Sequence, residues 1–290
     1  MEKSISVIGG DLRSLKLIEL LEKDGFDVYT YGFELAEELL KKSKVTICEN
    51  LNTALKKSKV IISPIPLSSD RQNLLTPFNQ EKIAISDFLD NIEGKIVIGG
   101  NFSEEIRKKL EAKNVEYIDL IKREEFSVLN AISTAEGTIE IMIRETQRTI
   151  HGSKILIMGF GRVGKVLADK LAGIGADVYC EARKNEDIAW IKTYGYKPVK
   201  LSELNEYLNQ FEIIVNTIPF QVLDEKRLEL VKQDAVLIDL ASNPGGIDRN
   251  AAKNKKIKLI WALSLPGKVA PITSAEFIKE TLDNVLKELK

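Results

Sequence analysis

The sequence predicts an α/β protein made of two Rossmann-like, doubly wound domains with an active-site cleft between them. Three observations predict this fold. Short apolar runs alternate with amphipathic stretches along the chain, a rhythm typical of βαβ units and a mainly parallel sheet. A length of 290 residues suits about two domains. One apolar run, ILIM, leads into the glycine-rich turn GFGRVG and then into a helix-like stretch.

Five short apolar runs predict the strands of the first half: Ile5 to Ile8, Val28 to Tyr31, Val60 to Ile62, Ile96 to Ile98 and Val115 to Ile118. Between them, amphipathic patterns such as LKLIELLEKDG predict helices, with Gly25 as a stop signal. A long helical pattern follows from about Thr134 to Arg148. Thr134 is its predicted N-cap, which places Glu136 in the first turn, where the helix dipole favours a carboxylate.

Five further runs predict the strands of the second half: Ile155 to Met158, Val178 to Glu181, Ile213 to Thr217, Val236 to Leu240 and Leu259 to Ala262. A last amphipathic pattern covers about Ser274 to Leu289. We therefore predict a substrate-binding and catalytic domain over residues 1–148 and a dinucleotide-binding Rossmann domain over residues 149–273. By analogy with other two-domain dehydrogenases, the C-terminal helix, residues 274–290, is expected to pack on the first domain.

Each glycine of the turn GFGRVG has a separate physical task. Gly159 permits the tight turn out of the strand, Gly161 lets the backbone approach a pyrophosphate, and Gly164 lets helix and strand pack closely. The helix N-terminus then presents free N–H groups and a partial positive charge to the phosphates. The predicted cofactor-binding residues are Gly159, Phe160, Gly161, Arg162, Val163, Gly164, Ala182, Arg183, Lys184, Thr217, Pro219, Leu240 and Ala241.

The end of the second strand in this unit indicates which dinucleotide binds. NAD enzymes usually place Asp or Glu there, to accept a hydrogen bond from the ribose 2′-OH. This sequence has Ala182 at that place, followed by Arg183 and Lys184, a pattern that suits a 2′-phosphate. Glu181 is the competing signal, because strand alternation turns it to the same side as Arg183. We therefore expect NADP in preference to NAD.

The loops that follow the predicted strands are rich in Gly, Pro and small polar residues. They read GGDLR, SPIP, GGNFS, TIPF, ASNPGGID and SLPGKVAP. In open α/β sheets, ligands bind beyond the carboxyl ends of the strands, where such loops lie. Their donors, hydroxyl groups and few charges suit a small anionic substrate, and they contribute the candidates Asp11, Arg13, Ser63, Asp248 and Lys268.

Composition excludes several other functions. A net charge of −1 argues against nucleic acid and an anionic membrane surface as partners. The only histidine, His151, precedes a strand at the amino end of the sheet, so neither Ser-His-Asp hydrolysis nor a histidine-cysteine metal site is expected. Cys48 and Cys180 are expected to be buried, reduced thiols. The N-terminal MEKSISVIGGD has no signal-peptide h-region, so the cytoplasm is the expected location.

The loop sequences also resemble those of one bacterial family. GGDLR, STAEG, GFGRVGK, the strand ending ARK, NTIP, DLASNPGGID and LPGKVAP occur in this order in the A subunit of dipicolinate synthase. The resemblance spans essentially the whole chain, and LASNPGGID and LPGKVAP are far more specific than the glycine motif. It implies an NADP-dependent oxidoreductase that acts on a CH–CH group and forms dipicolinate (pyridine-2,6-dicarboxylate) during sporulation. The substrate would be dihydrodipicolinate or its hydroxytetrahydro precursor, from the lysine branch.

The resemblance further implies that the partner is the flavoprotein-like B subunit of dipicolinate synthase and that the location is the mother-cell cytoplasm; we also expect a homo-oligomer. The two ring carboxylates of such a substrate need cationic or N–H partners, for which Arg13 and Lys268 are candidates, with Ser63 and Thr134 as further substrate contacts. Asp11 or Glu136 could act as the base, and Lys268 could also take part in catalysis.

Two alternatives remain open from the sequence. One is another two-domain NAD(P)-dependent dehydrogenase that acts on a small carboxylate, such as a 2-hydroxy acid or a shikimate-like substrate. The 2-hydroxy acid enzymes use a histidine as acid and base, which this chain does not offer. The other is a non-catalytic nucleotide-binding subunit that regulates or supports a catalytic partner. Turnover by the isolated chain would discriminate between an enzyme and a binding subunit.

Overall fold

The computed structural model describes residues 3–40 and 44–289. The chain divides into two compact units. One contains the residues up to Leu129 together with those from Ala270 onward, and the other runs from Asn130 to Val269. Each unit is described below by itself.

The first unit is built on a parallel sheet. Its strands are β1 (Ser4–Ile8), β2 (Asp27–Tyr31), β3 (Thr46–Ile47), β4 (Val60–Ile62), β5 (Ile96–Gly99) and β6 (Glu116–Asp119). Its helices in the first part of the chain are α1 (Leu12–Lys23), α2 (Glu37–Leu40), α3 (Leu51–Lys56), α4 (Ile85–Asp90) and α5 (Glu104–Ala112). The strand order is β3-β2-β1-β4-β5-β6, so the direction of winding reverses between β1 and β4.

Burial on both faces explains why the central strands β4 and β5 are continuous apolar runs. One face, which includes Ile5 and Val7, packs against α1. The other face, which includes Ile61 and Val97, lies over the helices α3, α4 and α5. Short β3 was not predicted, because its two residues are exposed and form no apolar run.

A long helix, α6 (Glu124–Glu145), links the two units. The prediction that this helix begins with Thr134 as N-cap is wrong. No Gly or Pro interrupts the stretch from Glu124 to Thr134, and acidic residues occupy the first turn, so the helix begins at Glu124. Thr134 is internal, and its hydroxyl group donates to the carbonyl of Asn130 at 2.9 Å.

The division between the units falls within α6, not at the predicted position after residue 148. The reason is packing. Ala135, Ile139 and Met142 on the second half of α6 belong to the hydrophobic core of the second unit. The helix therefore contributes directly to that core, whereas the sequence pattern suggested only a connector.

The second unit repeats the same architecture. Its strands are β7 (Lys154–Met158), β8 (Asp177–Ala182), β9 (Lys197–Lys200), β10 (Ile213–Asn216), β11 (Val236–Asp239) and β12 (Lys258–Trp261). Its helices are α7 (Arg162–Gly173), α8 (Asn185–Thr193), α9 (Leu204–Tyr207), α10 (Glu225–Leu228), α11 (Arg249–Asn254) and α12 (Leu265–Val269). The order β12-β11-β10-β7-β8-β9 is again all parallel, and winding reverses between β7 and β10. The predicted α/β class with two Rossmann-like domains is confirmed.

The chain then returns to the first unit with its last helix, α13 (Pro271–Glu288). This helix packs against α1, and its buried residues Ile278, Leu282 and Val285 join the core formed by β1 and α1. Lys279, which is only 8% exposed, forms ion pairs with Asp283 and with Asp24 at the end of α1. Within residues 3–40 and 44–289, none of the helices combines the length and apolar character needed to cross a bilayer.

Candidate functional site

The carboxyl edge of the second unit's sheet brings the predicted cofactor-binding loops together. Gly159 follows β7, and Thr217 follows β10, the neighbouring strand on the other side of the winding reversal. The Thr217 hydroxyl group donates to the carbonyl of Met158 at 2.9 Å, which joins the two loops directly. Ligands of open α/β sheets bind at such a reversal, because the loops on its two sides separate there.

The glycine turn has the shape that a pyrophosphate requires. Gly159 has a φ of +92°, which favours glycine, and a side chain there would press on Thr217. A Cβ atom at Gly164 would overlap the carbonyl oxygen of Gly159, so helix and turn pack in direct contact. A Cβ atom at Gly161 would meet open space, and no side chain caps α7 there. The turn and the first N–H groups of α7 therefore fit a dinucleotide phosphate.

The residues at the end of β8 differ sharply in exposure. Ala182, the last residue of β8, is 4% exposed, and the following Arg183 and Lys184 are exposed. The Lys184 ammonium group lies 3.1 Å from the Glu186 carboxylate. Glu181, in contrast, is completely buried, although the alternation pattern suggested that it shares a side with Arg183. Because the strand ends at Ala182, Arg183 leaves the sheet and the alternation no longer applies.

Two buried polar side chains, Asn216 and Asp239, fix the loops after β10 and β11. They are adjacent across the sheet, and the Asn216 amide donates to the Asp239 carboxylate at 2.8 Å. Asp239 also accepts from the backbone N–H groups of Ala241 at 3.0 Å, Gly246 at 2.8 Å and Ile247 at 3.2 Å. One carboxylate thereby holds both ends of the loop that contains NPGG. Sequence reasoning missed this role, although an acidic residue at the end of the apolar run VLI was a usable signal.

The other predicted cofactor residues lie around these loops. Phe160 is buried, and its ring contacts Tyr194 and Tyr196, so only its backbone faces the turn. Arg162 begins α7, and Val163 is half-buried beside it. Pro219 is exposed after β10, whereas Leu240 and Ala241 follow β11. The Leu240 N–H group donates to the Asn216 carbonyl at 2.9 Å.

In the first unit, Asp11 and Arg13 lie at the matching reversal between β1 and β4. Asp11 caps α1 by accepting from the Arg13 N–H group at 3.0 Å. The two side chains also pair, with Arg13 Nε 2.9 Å from Asp11 Oδ1 and Arg13 Nη2 2.8 Å from Asp11 Oδ2. Arg13 additionally donates to the carbonyl of Ile65, in the SPIP loop. Arg13 therefore ties the loop after β1 to the loop after β4, and it is only 6% exposed.

In the first unit, Asp119 holds the loop that follows β5. The sequence analysis did not identify this residue. Its carboxylate accepts from the backbone N–H groups of Asn101 at 2.9 Å and Phe102 at 3.1 Å. Asp119 ends β6 as Asp239 ends β11, and both are buried. The predicted substrate contact Ser63 is also buried, and its hydroxyl group lies 3.4 Å from the carbonyl of Ile98.

The predicted catalytic groups of the second unit, Glu136 and Lys268, are exposed. Glu136 lies in the middle of α6, not near an N-terminus, so the helix dipole does not act on it as expected. Its carboxylate forms an ion pair with Lys170 of α7 at 2.9 Å. Lys268 is exposed on the short helix α12, in the loop region after β12. Their roles toward a substrate stay predictions.

The histidine and the two cysteines have the environments that the sequence predicted. His151 is exposed before β7, and its Nδ1 atom lies 3.3 Å from the carbonyl of Ile174. Cys48 and Cys180 are free and buried, and burial raises the pKa of both thiols. In the described part of the chain, no group of three or more His, Cys, Asp or Glu side chains is arranged to hold a metal ion.

Comparison with known proteins agrees with this geometry. A family model for the N-terminal domain of the A subunit of dipicolinate synthase matches residues 4–121. A second model, for the NAD-binding domain of D-isomer specific 2-hydroxyacid dehydrogenases, matches residues 129–251. The dipicolinate synthase A subunit from Bacillus subtilis (strain 168) is 32% identical over 288 residues, which cover 99% of this chain and 96% of that protein. The chain belongs to the family of dipicolinate synthase A subunits.

Two crystal structures of dipicolinate synthase A subunits are similar to the chain over nearly its full length. The protein from Bacillus subtilis has a TM-score of 0.89 at 30% identity, covering 99% of this chain and 97% of its own. The protein from Bacillus halodurans has the same TM-score and identity, covering 99% and 98%. Family membership and the NAD-binding domain support an NAD(P)-dependent, dehydrogenase-like oxidoreductase with a nicotinamide cofactor.

Proposed function

We propose that the protein is an NADP-dependent oxidoreductase that forms dipicolinate from dihydrodipicolinate or its hydroxytetrahydro precursor. The observation that carries the proposal is the combination of a dinucleotide-shaped glycine turn with membership of the dipicolinate synthase family over 99% of the chain. The turn supports the cofactor class, and the family supports the substrate class.

The reaction sets clear requirements for the chain's own residues. Aromatising the ring removes a hydride from one carbon and a proton from its neighbour, and the hydroxylated precursor must also lose water. The bound nicotinamide supplies the hydride acceptor. The chain must orient the ring, bind its two carboxylates and accept the proton. We assign carboxylate binding to Arg13, with Lys268 as a further candidate, and place the predicted substrate contacts Ser63 and Thr134 second to them.

Asp11 is the better candidate for the base. It lies at the winding reversal of the first unit, and its side chain is 23% exposed. Glu136 lies on an exposed face in the middle of α6 and is paired with Lys170. The pairing of Asp11 with Arg13 gives both groups one fixed orientation, which suits a base placed beside a carboxylate-binding cation.

The preference for NADP rests on Ala182, Arg183 and Lys184. A small residue leaves room for a 2′-phosphate, and two exposed cations attract it. Replacing Arg183 with Ala should weaken NADP binding about tenfold and leave NAD binding unchanged, because NAD lacks the phosphate. The matched control is Lys192→Ala, which removes an exposed cation from the far end of α8. Equal losses for both dinucleotides would contradict the assignment.

Turnover by the purified chain tests the reaction itself. The chain would be mixed with dihydrodipicolinate synthase, pyruvate, aspartate semialdehyde and NADP, with NAD in a parallel sample. We expect the ultraviolet band of dipicolinate to appear faster with NADP. If NADP binds but no dipicolinate forms, even when the B subunit of the synthase is present, the proposed substrate is wrong.

A second candidate function is a nucleotide-binding subunit without its own catalysis. The observation that favours it is that Asp11 and Arg13, the predicted base and substrate cation, already satisfy each other. Dipicolinate formed only in the presence of the flavoprotein-like B subunit would support this alternative.

We also propose that the B subunit is a partner of this chain in the mother-cell cytoplasm, which co-purification would test. We further propose that the chain is homo-oligomeric, which light scattering would test.

A further inference from the structure

One buried acidic side chain has no part in the function described so far. Glu181, the second-last residue of β8, is 0% exposed. Neither of its carboxylate oxygens has a hydrogen-bond partner within residues 3–40 and 44–289. Burying an ionised carboxyl group without partners is strongly unfavourable, so such a group is either protonated or has a function that requires its charge.

The surroundings of Glu181 favour its neutral form. Its in-register neighbours on the two adjacent strands are Met158 and Val199, which are both buried and apolar. Burial raises the pKa of the Glu181 carboxyl group, while the charges of Arg183 and Arg227 partly oppose this rise. The Gly159 N–H group donates to the backbone carbonyl of Glu181 at 3.1 Å, not to its side chain.

The two cations that act on Glu181, Arg183 and Arg227, differ in their hydrogen bonding. The Arg227 side chain, from α10, donates to the carbonyl of Val222 at 2.7 Å and to the Asn205 side chain at 3.0 Å. Arg183 is exposed, and within the part of the chain that the structure describes it has no hydrogen bond or ion pair. Among these groups, Arg183 is therefore the cation available to an external anion.

The protonation state of Glu181 thus changes how strongly Arg183 attracts a 2′-phosphate. When Glu181 is neutral, Arg183 keeps its full attraction for a phosphate beside Ala182. When Glu181 is ionised, its negative charge offsets part of the attraction that Arg183 exerts on the phosphate and also repels the phosphate itself. NAD, which carries a hydroxyl group at this place, experiences little of this change.

We propose that Glu181 is a positioning residue for cofactor specificity, which permits binding of the 2′-phosphate while it is protonated and opposes that binding once it ionises. The inference rests on the proposed preference for NADP. It predicts that the ratio of NADP to NAD affinity falls as pH rises, through a group that touches neither dinucleotide.

The test compares dissociation constants of NADP and NAD for the wild-type chain and for Glu181→Gln, from acid to base across the pH range in which both proteins stay folded. Gln matches Glu in shape and stays neutral. At the acidic end, both proteins should bind NADP equally. Toward the basic end, the wild-type chain should bind NADP about tenfold more weakly than the variant, while NAD binding stays equal. Titration of the phosphate itself affects both proteins alike, so it cancels in the comparison.

The outcomes separate this inference from the cofactor assignment. Superimposed NADP curves for wild type and Glu181→Gln overturn the inference, even if NADP is preferred throughout. A parallel loss of NADP and NAD affinity in the variant also overturns it, because that result indicates only a structural role. If neither protein prefers NADP at any pH, the proposed function fails instead. Glu181→Met, which is neutral and apolar, repeats the test should the buried amide of Gln impair folding.

Discussion

Replacing Asp239 with Asn should destabilise the second unit strongly. The Asp239 side chain is 1% exposed and accepts four hydrogen bonds, from the Asn216 amide and from the N–H groups of Ala241, Gly246 and Ile247. Asn retains a single acceptor oxygen, and its amide nitrogen would face donors that it cannot accept from. At least two of the four bonds are therefore lost.

The magnitude follows from the number and type of these bonds. A hydrogen bond to a charged acceptor contributes about 1.5–3 kcal/mol, and each N–H group left unpaired in the interior adds its own desolvation cost. Losing two such bonds should lower the free energy of unfolding by roughly 3–5 kcal/mol, a large share of the total stability of an ordinary domain. Dinucleotide binding should weaken as well, because Leu240 and Ala241 follow Asp239 directly.

Urea unfolding followed by circular dichroism measures the effect. The matched control is Asp248→Asn in the same loop. Asp248 is partly exposed and caps α11 by accepting from the Ala251 N–H group at 3.0 Å, a role that Asn performs nearly as well. The control should stay within about 0.5 kcal/mol of the wild type. An Asp239→Asn protein within about 1 kcal/mol of the wild type would refute the assignment of Asp239 as the group that holds this loop.

Two further predictions concern the same unit. Gly164→Ala should lower the free energy of unfolding by about 2–3 kcal/mol, because its Cβ atom would overlap the Gly159 carbonyl oxygen. Gly161→Ala has open space around its Cβ atom, so it should keep the stability and weaken only dinucleotide binding. Equal melting temperatures of the two variants would contradict this reasoning. The folded pKa of Glu181 lies above its unfolded value, so its stabilising contribution is complete below the unfolded pKa of about 4.3 and is lost as pH rises through the folded pKa. The free energy of unfolding of the wild type, relative to that of Glu181→Gln, should therefore fall with increasing pH by about 1.4 kcal/mol for each pH unit between the two pKa values, and a constant difference across urea titrations from acid to base would exclude the shift.

The sequence predicted the elements whose signals are local. Apolar runs located β1, β4 and β7, and the spacing of Gly159, Gly161 and Gly164 located the dinucleotide turn. β9, with the sequence KPVK, was missed because it is mostly polar and lies at the edge of its sheet. An edge strand needs only one neighbour and can remain largely exposed, so its sequence has no apolar run to detect.

The contacts that shape the candidate site could not be predicted, because they join residues far apart in the chain. Arg13 was expected to be free for a substrate, yet it bonds to the carbonyl of Ile65 in another loop. Asn216 and Asp239 are adjacent only because β10 and β11 pair in register. The burial of Glu181 likewise depends on which strands flank β8, which alternation along one strand does not specify.

The return of α13 to the first unit affects how the protein can fold during synthesis. A ribosome delivers the chain from the N-terminus, and domains generally fold as units while they emerge. The second unit is continuous in sequence and is complete once Val269 has emerged. The first unit still lacks Ile278, Leu282 and Val285, so the apolar surface that they cover on α1 remains open. The unit whose synthesis begins first is therefore the last to complete its core, and it does so only when α13 has emerged.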